Sequence, residues 1–219
     1  MEKYLSRRIK AVLFDLDGTL LDTSEFIFSA FEHTLKHHDR VVLDRKIMGK
    51  MMGRALSECY EEFAPGIDPE GLMERHRIFQ SGNKHLVRPF PQTIQLLDKL
   101  KKEGYKIAIV TSRVGSAQES MDDTGISKHV DVLIDARSTK QHKPHPEPVL
   151  KALEKLSLTA DEAVMVGDGD ADVFSGKAAG VTTIGVTIGM VPLEILKASN
   201  PDYLVDSLED VETVIMSQK

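Results

Sequence analysis

The sequence predicts an α/β protein, with a doubly wound parallel sheet that carries an inserted all-helical subdomain. Short apolar runs rich in Val and Ile alternate with segments of helical periodicity. Uninterrupted apolar runs are typical of strands buried on both faces, as in parallel sheets. Between residues 22 and 88 the chain does not return to the sheet, and this connection is far longer than a crossover requires. Its length predicts a subdomain rather than a loop.

Six predicted strands form the core, and each is a short apolar run followed by a polar or glycine-containing turn. They span residues 9–15, 105–111, 130–135, 163–168, 182–186 and 202–205. Intervening segments with apolar residues at helical spacing are residues 91–104, 116–125, 146–157 and 170–180. Glycines at positions 104, 125 and 180 stand where helix C-caps are expected. This alternation brings the carboxyl ends of the strands, where such folds bind ligands, to one edge.

The predicted insertion is residues 22–88, and the core is residues 1–21 and 89–219. Within the insertion, helical patterns cover residues 24–38, 55–64 and 69–86. A loop is predicted at residues 48–54. Linkers lie near residues 20–23 and 87–91, and prolines 89 and 91 stiffen the second. We expect packing roles for Met48, Met51, Met52 and Met73. Surface positions are expected for His33, His37 and His38.

Composition narrows the classes of function. The chain of 219 residues is 41% hydrophobic and 28% charged, as in globular proteins with a buried core. A net charge of −6 argues against a nucleic-acid partner. The apolar runs are too short for a membrane span, and the N-terminus lacks a signal-peptide pattern. Because Cys59 is the single cysteine, an internal disulfide and a cysteine-based zinc site are excluded, and a reducing cytoplasm is expected. Cys59 itself is expected to be buried and inert.

Two aspartates follow the first predicted strand. Asp15 and Asp17 are alternate residues of an extended segment, so both carboxylates can face one crevice. Burying them is costly unless something pairs with them. Gly18 permits the sharp turn that aims them. The alternative is a plain aspartate pair in a turn, since the spacing alone is weak evidence.

A second acidic group follows the fourth strand, at Asp168, Asp170 and Asp172. Clustered carboxylates favour a hard divalent cation, and magnesium is the natural candidate. The alternative is an acidic helix N-terminus that interacts with the helix dipole, and we assign only this role to Asp170.

Two further groups lie after predicted strands. The second predicted strand ends in Thr111 and Ser112, followed by Arg113. A hydroxyl at a strand end can bind an oxygen of an anion. The alternative is that it caps a helix that starts near residue 115. Lys143 lies in a proline-rich helix entry, residues 142–148, that would hold its ammonium at a fixed point. The alternative is a solvated surface lysine. Because all four groups converge on one sheet edge, together they indicate a phosphate-handling site.

The sequence resembles the haloacid dehalogenase superfamily along essentially its whole length. Four motifs carry the resemblance, namely DxDGT at 15–19, Thr111, Lys143 and GDxxxD at 167–172. The helical insertion after the first motif resembles the superfamily's C1 cap. LFDLDGTLLDT (13–23), PFP (89–91), KPHPEP (143–148) and SGKAAG (175–180) are similar to the phosphoglycolate phosphatase-like branch, with inorganic pyrophosphatases and β-phosphoglucomutase as neighbours. Aspartate at both 15 and 17 distinguishes the chain from the dehalogenases.

The resemblance implies Mg²⁺-dependent hydrolysis through an aspartyl-phosphate. Asp15 would be the nucleophile and Asp17 the general acid and base. Asp15, the Asp17 main-chain carbonyl and Asp168 would hold the metal, while Asp172 would bind it through water or orient Lys143. Lys143 would neutralise charge, and Thr111 would contact the phosphoryl group. The other substrate-binding candidates of the core are Gly18, Thr19, Ser112 and Arg113.

Substrate choice is expected to lie in the insertion. In C1-capped relatives the loop corresponding to residues 48–54 faces the active site. The resemblance therefore makes Lys50 and Arg54 candidates to bind an anionic leaving group. The alternative is that both are ordinary surface charges. The favoured activity is phosphoglycolate phosphatase-like, with inorganic pyrophosphatase as the alternative and a β-phosphoglucomutase-like transferase third. A receiver-type signalling module is disfavoured by Asp17 and by the insertion. We expect a small phosphorylated substrate, no nucleic-acid or membrane partner, and a monomer or homodimer.

Overall fold

A computed structural model describes residues 9–36, 44–52, 54 and 56–217. Its strands are β1 (Ala11–Phe14), β2 (Leu21–Asp22), β3 (Arg88–Pro89), β4 (Lys106–Val110), β5 (Val132–Ile134), β6 (Ala163–Gly167), β7 (Thr182–Val186) and β8 (Tyr203–Val205). Six of them form one parallel sheet in the order β5-β4-β1-β6-β7-β8. Each strand of this sheet lies inside its predicted range, and the predicted α/β fold is confirmed.

The helices follow the predicted alternation with three additions. In chain order they are α1 (Ser24–Leu35), α2 (Arg45–Gly49), α3 (Leu56–Phe63), α4 (Pro69–Gly82), α5 (Thr93–Lys102), α6 (Ala117–Asp123), α7 (Glu147–Leu156), α8 (Asp170–Ala179), α9 (Leu193–Ala198) and α10 (Leu208–Ser217). Helices α2, α9 and α10 are not among the predicted helices. The predicted loop 48–54 is wrong at its start, because Met48 and Gly49 end α2. That helix is capped by Asp44, which accepts the Lys46 N–H at 2.8 Å.

The sheet is buried on both faces, as the uninterrupted apolar strands predict. Val12 and Phe14 of β1 belong to one hydrophobic cluster, together with residues of α5 and α10. Ala11 and Leu13 point into a second cluster, with residues of α7. Helices on both faces leave the strand ends as the open edge where polar groups gather.

The two linkers of the insertion pair with each other. Leu21 lies opposite Pro89 and Asp22 opposite Arg88 in an antiparallel ladder of β2 and β3. Helices α1 to α4 lie between these strands in the chain and share a third hydrophobic cluster, which includes Phe31 and Tyr60. The insertion therefore has a core of its own.

Several predictions about the inserted helices can be compared with this cluster. Cys59 is buried as predicted, and burial raises the pKa of its thiol to about 12, which keeps it un-ionised. The predicted packing roles are confirmed for Met48, which is buried, and for Met51, Met52 and Met73, which pack against the cluster. His33 is exposed and stacks on Phe79. His37 and His38 lie outside the described residues.

The described residues contain no helix both long and apolar enough to cross a membrane.

Candidate active site

The open edge of the sheet brings together side chains from widely separated parts of the chain. Asp15 follows β1, Thr111 follows β4 and Asp168 follows β6, which are adjacent strands. Lys143 reaches the same edge from the loop after β5, and Asp172 from the first turn of α8. All five side chains are buried. Burial of so many polar groups requires that they pair with one another or with a ligand.

Lys143 lies at the centre of this group. Its Nζ donates to Asp15 Oδ1 at 2.7 Å, to Asp172 Oδ1 at 2.6 Å and to the Val110 carbonyl at 3.0 Å. These bonds use all three donors of the ammonium. Burial by itself lowers the pKa of Lys143, but the two carboxylates outweigh this effect and raise its pKa, so it stays charged. The surface-lysine alternative is excluded because the side chain is only 4% exposed.

Three carboxylates surround a common space. Asp15, Asp168 and Asp172 each offer one oxygen, and these oxygens lie within 4.8 Å of one another. Burial raises the pKa of Asp15 to about 7, with Lys143 opposing and Asp172 adding to the rise. Burial and the Asp15 carboxylate also raise the pKa of Asp168. One ammonium cannot balance three buried carboxylates, and oxygen ligands of this kind suit a hard metal cation. The cluster is therefore able to hold a metal ion.

Asp168 is held by groups from two other loops. Its Oδ2 accepts the Met190 N–H at 3.0 Å, and its Oδ1 accepts the Thr19 hydroxyl at 3.4 Å. A Cβ at Gly18 would lie 2.3 Å from Asp168 Oδ2, and one at Gly189 would lie 1.9 Å from it. Gly18 also has φ +77°, which side-chain-bearing residues rarely adopt. Thr19 thus touches the cluster. Sequence reasoning missed Gly189 and Met190, whose only signal is a glycine soon after β7.

Asp17 lies apart from the three-carboxylate cluster. Its carboxylate pairs side-on with Arg113, with Nε donating to Oδ2 and Nη2 to Oδ1, both at 2.6 Å. Arg113 Nη1 donates to Ser120 Oγ at 2.6 Å, and the guanidinium lies 5.7 Å from the ring centroid of Phe26 on α1. Asp17 is therefore ordered by a guanidinium from the next strand end. The proposed metal contact through its main-chain carbonyl remains a prediction.

The loop after β4 is organised by Thr111. Its Oγ1 accepts the Arg113 N–H at 3.2 Å. Helix α6 begins only at Ala117, with Ser116 as the preceding residue, so the helix-cap alternative for Thr111 is wrong. Ser112 Oγ is buried and has no hydrogen-bond partner in the described part of the chain.

A cavity of about 770 Å³ lies between the inserted helices and the core. Its lining includes Lys46 and Lys50 of the insertion and Gly189 and Met190 of the core, together with acidic residues such as Asp44. Gly18, which packs against Asp168, also borders the cavity, whereas the three clustered carboxylates are not among its lining residues. Arg54 is exposed and is not among the lining residues. Of the two basic residues predicted in this loop, the structure places Lys50 on the cavity.

Comparison with known proteins identifies the family. A family model described as haloacid dehalogenase-like hydrolase matches residues 12–186. The chain belongs to this hydrolase family. Pyrophosphatase PpaX of Bacillus velezensis is 37% identical over 210 residues, covering 94% of this chain and 95% of that protein. The predicted membership of the haloacid dehalogenase superfamily is confirmed.

Solved structures agree with the fold. A haloacid dehalogenase-like family hydrolase from Streptococcus pneumoniae matches with a TM-score of 0.84 at 26% identity, covering 94% of this chain and 98% of that one. A predicted phosphoglycolate phosphatase from Haemophilus somnus also gives 0.84, at 22% identity, covering 95% and 99%. Because the second match has only 22% identity, it supports the fold alone. As a haloacid dehalogenase-like hydrolase, the chain is an enzyme, and its buried carboxylate–lysine cluster is the candidate for its reacting centre.

Proposed function

We propose that this hydrolase cleaves a phosphate anhydride or a small phosphate monoester, with Mg²⁺ as cofactor and an aspartyl-phosphate as intermediate. The observation that carries the proposal is the ammonium of Lys143, held between the buried carboxylates of Asp15 and Asp172. Such a cation reduces the repulsion between an anionic nucleophile and an anionic phosphate.

Asp15 is the nucleophile in this mechanism. Lys143 binds its Oδ1 and so orients the carboxylate, which makes Oδ2 the attacking atom. The bond from Oδ2 to phosphorus forms as the bond from phosphorus to the leaving oxygen breaks. Water then attacks phosphorus and releases Asp15. The proposed donors to the phosphoryl oxygens are Thr111 and Ser112, whose hydroxyl has no partner among the described residues.

Asp17 is the general acid and base. It protonates the leaving oxygen and then accepts a proton from the hydrolytic water. The carboxylates of Asp15 and Asp168, with the Asp17 main-chain carbonyl, would hold Mg²⁺, which supplies positive charge against the phosphate. Asp172 instead orients Lys143, since its Oδ1 accepts from Nζ and its Oδ2 from the Gly169 N–H at 3.1 Å.

Pyrophosphate is the first substrate to test and phosphoglycolate the second. The B. velezensis relative, matched over nearly its whole length, is named a pyrophosphatase. The sequence motifs resemble the phosphoglycolate phosphatase-like branch, whereas the phosphoglycolate phosphatase structure shares only 22% identity. Both substrates pair a transferred phosphoryl group with a second anionic group, and Lys46 and Lys50 are cations that such a group would meet in the cavity.

The deciding experiment is phosphate release with Mg²⁺ from pyrophosphate, 2-phosphoglycolate, β-glucose-1-phosphate and 4-nitrophenyl phosphate. We expect the highest kcat/KM with pyrophosphate and trapping of phosphate on Asp15 in a rapid quench. A preference for 2-phosphoglycolate would keep the mechanism and change the leaving group. Absence of hydrolysis with all four substrates would refute the proposed function.

We further propose that residues 22–88 act as a cap over the core formed by residues 1–21 and 89–219. The separate hydrophobic cluster of the inserted helices and the paired linkers β2 and β3 support this division. The buried free thiol of Cys59 supports a cytoplasmic location. A monomer or homodimer is the assembly that we expect.

Lys50→Ala is expected to lower kcat/KM for pyrophosphate about tenfold more than for 4-nitrophenyl phosphate, because only pyrophosphate carries a second anionic group that can bind the ammonium. The matched control is Arg54→Ala, which removes an exposed cation of the same loop that does not line the cavity. Steady-state kinetics on both substrates measures the difference. Equal effects of the two variants would contradict a leaving-group role for Lys50.

Asp168→Asn is expected to raise the Mg²⁺ concentration for half-maximal activity at least ~10-fold, because one charged ligand of the cluster is lost. Asp170→Asn is the matched control, since Asp170 lies two residues away in the chain and outside the cluster. Magnesium titration of both variants at saturating substrate makes the comparison. An unchanged magnesium requirement in Asp168→Asn would contradict the assigned ligand set.

A further inference from the structure

We propose that Arg113 exchanges partners during turnover: it binds the Asp17 carboxylate in the free enzyme and releases it when the second anionic group of the substrate takes its place. This inference rests on the proposed function and adds to it. It makes Arg113 both a binding residue for the distal phosphate or carboxylate and a positioning residue for Asp17. The enzyme would thereby select substrates that carry two anionic groups.

Arg113 and Asp17 form a side-on pair that is largely shielded from solvent. Nε and Nη2 of Arg113 face both oxygens of Asp17 at 2.6 Å, with side-chain exposures of only 10% and 18%. Side-on pairing of this kind holds a carboxylate in one orientation. While both Asp17 oxygens accept from Arg113, the carboxylate faces the guanidinium, and in the exchange it turns away from it to serve the leaving group.

Arg113 is also held by contacts that do not involve Asp17. Its Nη1 donates to Ser120 Oγ at 2.6 Å, its backbone N–H donates to Thr111 Oγ1, and its carbonyl accepts the Ala136 N–H at 3.0 Å. The ring of Phe26 lies beside the guanidinium. When Asp17 rotates away, the Nε and Nη2 edge therefore remains in place. That edge fits a phosphate or a carboxylate equally well.

The Nε and Nη2 edge belongs to a residue that follows β4, the strand next to β1. Asp17 lies two residues from the nucleophile Asp15, and the Arg113 N–H contacts Thr111, which follows β4 at the same sheet edge. In the exchange Asp17 serves the leaving oxygen, so a distal anion one or two bonds beyond that oxygen would take the position on the guanidinium that Asp17 leaves. Phe26 belongs to α1 of the insertion, so the inserted helices also contact the exchanging residue.

The exchange predicts how the reaction depends on the leaving group. A substrate without a distal anion leaves Asp17 on Arg113, and its leaving oxygen departs with little help from a proton. This matters for phenyl phosphate, whose phenolate is a poor leaving group, and hardly matters for 4-nitrophenyl phosphate. The distal anion is a phosphate in pyrophosphate and a carboxylate in 2-phosphoglycolate. Comparing these two substrates therefore shows which of the two groups Arg113 binds.

The test compares Arg113→Met with the wild type on these four substrates with Mg²⁺. We expect kcat/KM for pyrophosphate or 2-phosphoglycolate, relative to 4-nitrophenyl phosphate, to fall about 100-fold, since a bidentate charged contact is lost. We expect the kcat ratio of phenyl phosphate to 4-nitrophenyl phosphate to rise at least ~5-fold, because Asp17 is no longer retained. Loss of anion discrimination together with better use of phenyl phosphate is specific to an exchange.

Other outcomes overturn the inference. If kcat/KM fell by the same factor for all four substrates, Arg113 would only hold Asp17 in place throughout turnover. The same conclusion would follow if the kcat ratio of phenyl phosphate to 4-nitrophenyl phosphate decreased. Failure of the wild type to cleave even 4-nitrophenyl phosphate would instead refute the proposed function.

Circular dichroism checks folding, and Arg113→Lys and Ser120→Ala provide milder variants. Arg113→Lys keeps the positive charge but loses the two parallel donors of the guanidinium. The anion-bearing substrates' relative kcat/KM should therefore fall, and the phenyl phosphate ratio should rise, by smaller factors than in Arg113→Met. Ser120→Ala should raise KM for the anion-bearing substrates and leave the phenyl phosphate ratio unchanged.

Discussion

Asp15→Asn is expected to lower turnover of every substrate by a factor of ~10⁴ or more while the protein still folds. The carboxamide has the shape of the carboxylate but is not a nucleophile towards phosphorus. Its oxygen still accepts from Lys143, which also keeps its bonds to Asp172 and to the Val110 carbonyl. Because one of three crowded carboxylates becomes neutral, we expect the melting temperature of the metal-free protein to be equal or higher.

Asp170→Asn is again the control, since it makes the same chemical change outside the cluster and should keep full turnover. Phosphate release and rapid-quench trapping measure activity, and thermal melting followed by circular dichroism measures folding. Retention of more than about 1% of wild-type kcat in a folded Asp15→Asn variant would rule out Asp15 as the nucleophile.

Lys143→Met is expected to have the second largest effect, on both activity and stability. The change leaves Asp15 and Asp172 buried without their ammonium, and breaking a buried ion pair in this way costs about 3–5 kcal/mol. The pKa of Asp15 should rise further, since Lys143 is the group that lowers it. We expect a fall in kcat of about 10³-fold, because the charge that offsets the phosphoryl group is lost.

Urea unfolding without added metal measures the loss of stability, and Lys155→Met on α7 is the matched control because that lysine is exposed. Adding Mg²⁺ should restore part of the stability of Lys143→Met, since positive charge returns to the cluster. A change of less than about 1 kcal/mol relative to the control would contradict the central electrostatic role of Lys143.

The sequence predicted much of the core because the relevant signals are local. Apolar runs buried on both faces identify parallel strands whatever their order in the sheet. The polar residues at 15, 111, 143 and 168 follow strands, and adjacent parallel strands end at one edge, so their convergence could be anticipated. Helix α2 was missed because it is a single short turn, where a capping aspartate is the main signal.

Local signals did not reveal pairings between distant residues. The sequence named Lys50 and Arg54 as equivalent basic residues, and only the structure places the first on the cavity and the second on the surface. It named Arg113 for substrate binding but not its pairing with Asp17, which is 96 positions away in the chain. Nor did it indicate that Gly189 and Met190 enclose Asp168.

By itself the sequence determined the fold class, the helical insertion and the identity of the acidic, hydroxyl and lysine groups at the strand ends. These depend on residue type and on periodicity along the chain, which persist wherever the segments are placed. The tertiary structure alone decided which carboxylates share the ammonium of Lys143 and which one faces Arg113. Such choices depend on side-chain directions and on gaps of a few ångströms between loops, and hydrogen bonds are made or lost over distances of that size.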